Sequence, residues 1–240
     1  MSSAPSPFLP CRRFPLVSYA LATAVMGAGA LLAAREYPGG YDWPYTVMSA
    51  LASSKHNPGG GAWFAGGLIL AMALLWPGAR FLRTRSTDTG WSHGALRVGL
   101  VAGALVGAER LFVFHLSTLL PKAHEVLALV CFVALYAALL GLTLQRAQRR
   151  RHHRWAAVVV VIPLVAIGVS QAVIYLGQRD LGWVDRHWRE LGVPMTMSLA
   201  FWQWLAAAAL WVGLGHLLVT AEVPDPHARE RPAAAGTADV

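Results

Sequence analysis

The sequence predicts an all-α polytopic membrane protein, a bundle of six transmembrane helices with both termini cytoplasmic. Three observations carry that expectation. Hydrophobic residues make up 56% of the 240 and charged residues 13%, against about 25% charged in soluble domains. Several charge-free runs reach the roughly 20 residues that cross a bilayer as a helix. The formal net charge of +8 is concentrated in short arginine-rich stretches between those runs, as orienting charge is. A basic soluble protein would suggest nucleic acid; this distribution suggests membrane lipids as partners and no nucleic acid.

Taken in order, residues 1–13 are polar and Pro-rich, end in Arg12-Arg13 and read as a disordered tail. Residues 14–34 are the first span. Secretory h-regions run only about 7–15 residues, so an uncleaved anchor is expected. Residues 35–61 form a long connection in which 45–53 is too short to span. An interfacial or re-entrant helix is expected there, with Trp43 and Tyr45 at headgroup depth. Asn57-Pro58-Gly59-Gly60-Gly61 then breaks the chain.

The second span is 62–79. The third, 98–117, carries Gly99, Gly103 and Gly107 at every fourth position. That places them on one face, where small residues let another helix approach. Pro121 separates it from the fourth span, 123–144. The fifth, 155–177, contains Pro163, Ser170 and Gln171, and the sixth, 197–221, contains Gln203 and His216. The Pro/Ala-rich tail 222–240 reads as disordered. Cys11 and Cys131 have no evident partners, so no disulfide framework is expected.

Charge orients the bundle. The tails with loops 80–97 and 146–154 hold 13 of the 20 Lys/Arg and 5 of the 12 Asp/Glu. Nine of those arginines lie in the two loops: Arg80, Arg83, Arg85, Arg97, Arg146, Arg149, Arg150, Arg151 and Arg154. The opposite side holds seven of each sign. The basic side is therefore expected in the cytoplasm of a multi-pass inner-membrane protein, its arginines serving topology and contact with anionic lipid.

Functional candidates gather on the outer side, around 107–125. Glu109 and Arg110 lie within an apolar run, and charge at membrane depth marks a functional-site hypothesis. Adjacent helical residues point about 100° apart, so each is expected to answer to a different neighbour. For Arg110 the candidates are Asp42, Asp180 and Asp185, with Gln171 or Gln203 contributing from within. Asp42, Ser49, Glu109, Arg110, His115, His124 and Glu125 form the candidate ligand-binding set. His115, His124 and Glu125 bracket one hairpin and could hold a zinc ion with an open position, though their spacing matches no standard metal motif. Interfacial histidines and a helix-starting glutamate also have structural roles, since Glu125 suits the positive end of a helix dipole. Ser49 lacks the G-x-S-x-G setting of a serine hydrolase.

Three pieces of sequence carry a family resemblance: Thr46-Val47-Met48-Ser49-Ala50-Leu51, then Asn57-Pro58 leading to Trp63-Phe64-Ala65-Gly66-Gly67-Leu68, and Gly107 followed by His124 with Leu127-Ala128. With the six-span layout they resemble the prokaryotic membrane family of domain of unknown function 998, which in turn resembles DRAM-type six-helix membrane proteins. An acidic residue often follows that family's serine, and Ala50 stands here. The resemblance implies a fold and carries no settled activity. The expected function is binding of a lipid or small hydrophobic ligand through a polar pocket on the outer side. A metal-dependent lipid hydrolase using His115, His124 and Glu125 is the alternative, and a small transporter using Glu109 and Arg110 the second.

Overall fold

A computed structural model describes residues 13–85, 90–112, 123–149, 153–178 and 187–221. The expected disordered tails lie outside these ranges, apart from Arg13 at the start of the first helix. The described residues are helical, with no strand among them. Six helices of 21 to 27 residues dominate: α1 (Arg13–Arg35), α3 (Gly61–Arg85), α4 (Trp91–Phe112), α5 (Ala123–Arg149), α6 (His153–Gln178) and α8 (Leu199–Val219). Two single turns, α2 (Met48–Leu51) and α7 (His187–Glu190), and a 3-10 turn at Met195–Met197 lie between them. By length and composition α1, α3, α5 and α8 can each cross a membrane. Arg97, Glu109 and Arg110 make α4 less apolar, and the apolar stretch of α6 is Val160–Ile174.

Successive long helices run antiparallel, and α8 returns against α1. The Tyr19 hydroxyl of α1 donates to the Trp211 carbonyl of α8 at 3.0 Å. Both α1 and α8 therefore put their chain-terminal ends at one end of the bundle, here the termini end. The connection 36–60 lies at the other, the loop end.

Small residues set how closely the helices cross. A Cβ on Gly29 would stand 2.8 Å from the Trp63 carbonyl oxygen, so α1 and α3 touch backbone to backbone. The glycine face of α4 packs as its spacing predicts. A Cβ on Gly107 would meet the Ala65 carbonyl oxygen of α3 at 2.7 Å, and one on Gly99 would meet Leu135 of α5 at 2.7 Å. Gly103 lies between them, against Met72 and Cys131.

At the termini end Phe81, Leu82, Leu96, Leu217 and Leu218 are each 2% exposed or less. Arg146 of α5 donates to the Leu217 carbonyl and the Thr220 hydroxyl, both at 2.9 Å, closing the C-terminus of α8. Pro77 leaves one backbone carbonyl of α3 without its helical donor. Ser18 of α1 donates to the neighbouring Leu74 carbonyl, as hydroxyls from adjacent helices do near such breaks.

Three boundaries differ from expectation for one reason. Helix α3 continues six residues past 79, α5 continues five past 144, and α4 begins at Trp91 rather than 98. The end of an apolar run is not the end of a helix, because arginine is a good helix former and its stem packs on apolar surface. Arg85 lies over the Phe81 ring at 5.2 Å and Arg97 over Trp76 at 5.8 Å. The expected interfacial helix at 45–53 is a single turn, α2. Pro44 precedes it, and Leu51 and Ala52 turn inward instead of lying along a surface. Cys131 is a free thiol, as expected; Cys11 lies outside the described residues.

Candidate functional site

A cavity of about 360 Å³ runs from the loop end past the middle of the bundle, at the lower end of the roughly 300–1,000 Å³ of small-molecule sites. It runs beside α8 from Gln203 to Leu214, about 16 Å at 1.5 Å per residue. Its deep wall is apolar: Leu75, Leu96, Leu100, Leu139 and Leu214. At the loop end stand Ser49, His124 and Gln203, with Met48 and Trp204. The space exists because small residues face it from several helices, among them Gly27, Gly103, Ala128, Ala207 and Ala208.

Asn57 and a group of aromatics hold the loop over this end. Asn57 is fully buried. Its amide donates to the Ala33 carbonyl at 2.9 Å and the Leu51 carbonyl at 3.1 Å, and its Oδ1 accepts from Gly60 N at 3.1 Å. One side chain thus joins α1, α2 and the start of α3. Gly39 and Gly40 have φ of +71° and +84°, which lets the chain turn back on itself. Tyr41 donates to the Thr46 carbonyl at 2.7 Å and accepts from Trp204 Nε1 at 3.2 Å. Burial pushes its phenol well above the usual range, so it stays protonated. Trp43 meets Tyr41 and Trp204 edge-on at 4.9 and 4.8 Å. Gln203 Oε1 accepts from Met48 N at 3.1 Å, fixing α2 beside the cavity.

Glu109, Arg110 and His124 come together where α4 ends and α5 begins. His124 Nδ1 is 3.2 Å from both Glu109 Oε2 and Arg110 Nε, and those two are 3.3 Å apart. This corrects the expectation that the adjacent charges answer to different neighbours. Their side chains are long enough to curl from the last turns of α4 onto one group of the next helix. Nδ1 is a single atom with two candidate partners. Unprotonated it accepts from Arg110; protonated it donates to Glu109; it cannot do both.

Of the expected partners of Arg110, Asp42 is engaged elsewhere. Asp42 is held by Arg189, whose guanidinium forks onto it at 2.7 and 2.8 Å and stacks over Tyr45 at 5.1 Å. That places Asp42 in a clamp between loops, not in the cavity wall; the hydrogen bonds to Asp42 raise the Arg189 pKa further. Asp180 and Asp185 lie outside the described residues. Of the candidate set, Ser49 and His124 line the cavity. Glu109 and Arg110 stand behind His124 and orient it. Glu125 is exposed. His115 lies outside the described residues, and among those described no three His, Cys, Asp or Glu residues gather as metal ligands.

Sequence reasoning read Asn57 as a chain breaker and passed over its side chain; its place just before a Gly-Gly-Gly helix start was the available signal. Tyr41 and Trp204 had no signal, because what joins them is tertiary. Comparison with known proteins finds no matching family model, no matching curated protein and no matching solved structure.

Proposed function

We propose that this is a six-span inner-membrane protein, both termini cytoplasmic, that binds one lipid or small hydrophobic ligand in the loop-end cavity. The cavity carries the reading: it is long and apolar, with Ser49, His124 and Gln203 at one end and the Thr23 hydroxyl, bonded by Trp211, further along. That is the shape and chemistry of an amphiphile laid along the bilayer normal, and 16 Å is about half of a roughly 30 Å hydrocarbon core. Support for six spans comes from the outside of the bundle. Helix α4 exposes Val98, Val101 and Leu105, and α6 exposes Ile162, Val165, Val169 and Val173. These apolar stripes are costly in water and ordinary in lipid. The arginine-rich loops flank the termini end, which favours the cytoplasm for that side.

Lipid extraction and mass spectrometry of the purified protein test the ligand. The expected result is one hydrophobic species near one per chain, reduced at least tenfold in Ala128→Phe and Ala207→Phe, which fill the cavity. Equal retention by the filled variants would exclude the cavity as the site. For topology, reporter fusions after Arg85 and Arg151 should signal cytoplasm and fusions after Gly39 the opposite side. A cytoplasmic signal after Gly39 would overturn the orientation.

A further inference from the structure

The loop end of the cavity, its mouth, carries a few polar side chains in an apolar lining and no unbalanced charge among the described residues. Glu109 and Arg110 neutralise each other at 3.3 Å, and neither lines the cavity. Arg189, also at the loop end, is committed to Asp42 in a two-bond fork. Lys55 is exposed on the loop and absent from the cavity wall. A phosphate or carboxylate drawn into this mouth would find no free cation beside it among the described residues. A charge left uncompensated at membrane depth costs about 2.5–3.5 kcal/mol on insertion scales.

What the mouth does offer is three hydrogen-bonding groups, all uncharged when His124 Nδ1 accepts from Arg110. Ser49 Oγ and the Gln203 side-chain NH2 have no hydrogen-bond partner among the described residues. The Gln203 amide is oriented by the bond its oxygen accepts from Met48 N, which fixes where its two N–H donors lie. His124 is engaged through Nδ1 by Glu109 and Arg110, leaving Nε2 on the far edge of the ring. Serine can donate and accept, the amide nitrogen donates, and a neutral imidazole presents one nitrogen of each kind. That set matches a hydroxyl head, which likewise both donates and accepts, or an ester head, whose carbonyl accepts.

Size narrows the tail. A 360 Å³ space at the small end of ligand sites takes one hydrocarbon chain, not two. Resting on the proposed ligand-binding function, we infer that the cavity binds a single-chain amphiphile with an uncharged, hydroxyl- or ester-bearing head. Ser49, Gln203 and His124 hold the head, and the Leu75–Leu100–Leu139 wall holds the chain.

A pair of probes differing only at the head tests this. A 1-monoacylglycerol and the matching lysophosphatidate, both carrying a brominated acyl chain, are titrated into the full-length protein in detergent micelles. Trp204 and Trp211 line the cavity, so an entering bromine quenches their emission. The monoacylglycerol should bind at least about tenfold more tightly, because the phosphate of the lysophosphatidate would lie at membrane depth without a free cation beside it. Ser49→Ala should weaken the monoacylglycerol by a factor of about 2–10 and leave the lysophosphatidate unchanged. Gln203→Met should act the same way, and provides a second reading of the head contact. Equal or tighter binding of the lysophosphatidate overturns the inference, as does full retention of the preference in both variants. The first outcome leaves a cavity ligand with a charged head, and the second a head held by groups other than Ser49 and Gln203. If neither probe quenches, or Ala128→Phe is quenched like the parent, the ligand-binding reading itself fails with it.

Discussion

At the termini end Phe81, Leu82, Leu217 and Leu218 are buried with almost no exposed surface. Nearer the loop end, Gly103, Ala128, Ala207 and Ala208 are among the residues that line the cavity. The same long helices build both regions, and side-chain volume makes the difference. Large residues at facing positions fill the inter-helix space in one half, and small ones leave it unfilled in the other. The polar groups divide similarly. Arg146 closes a helix end in the first region, whereas Ser49, Gln203 and His124 are turned towards the cavity in the second. A bundle that maximised packing would have no reason to leave the second half hollow, which is the argument for a ligand there.

The contrast can be broken most forcefully at its packed half. Phe81→Ala should cost about 3–5 kcal/mol, since an aromatic is removed from a site that cannot collapse around the loss. The measurement is unfolding in mixed micelles against the parent. A change below 1 kcal/mol would mean the termini end is no better packed than the loop end. Asn57→Ala should follow, at about 2–4 kcal/mol, because three backbone groups lose their partner inside the fold. Its signature is local: proteolysis of the 36–60 connection should rise more than global unfolding does. If cleavage there stays at the parent's rate, the loop is held by its aromatics instead.

The polar cluster sharpens the comparison at the loop end. Arg110→Met leaves Glu109 with His124 as its remaining partner and should destabilise by about 1–3 kcal/mol. Glu109→Gln should cost less, because an amide can still bond His124 and leaves Arg110, the more exposed of the pair, to reach water. Equal losses in the two variants would show the pair acting as one unit. The smallest effect belongs to the cavity face of α4. Gly103→Ala puts a methyl against the flexible tip of Met72 and should change stability by less than about 1 kcal/mol, whereas Gly107→Ala meets the Ala65 backbone and should cost more. Reversal of that order would place the close α3–α4 crossing at Gly103.

Much of the fold was legible beforehand because its signals are local. A charge-free run long enough to cross a bilayer, a glycine every fourth residue and an arginine cluster each mean something within one helix or one loop. Glu109, Arg110 and His124 were visible as candidates on the same basis: each is a polar residue in or beside an apolar segment. Their union was not visible. The 100° rotation per residue separates Glu109 from Arg110 along a helix axis, and only the arrival of α5 gives both side chains a common target in His124. Asp42 shows the converse, since its charge suggested a partner for Arg110 on the outer side, and a guanidinium 147 residues away claimed it for a clamp between loops.

By itself, the sequence determined that the described chain is helical and that at least four of its helices are long and apolar enough to cross a bilayer. It also determined which face of α4 another helix can approach. Hydrophobicity and residue size act at the residue that carries them, so they can be read one position at a time. Only the tertiary structure decided that small residues from several helices fall opposite one another and leave a cavity, and that Ser49, Gln203 and His124 stand at its mouth. Empty space and convergence are properties of positions distant in the chain, set by how the helices cross, and no single segment encodes them.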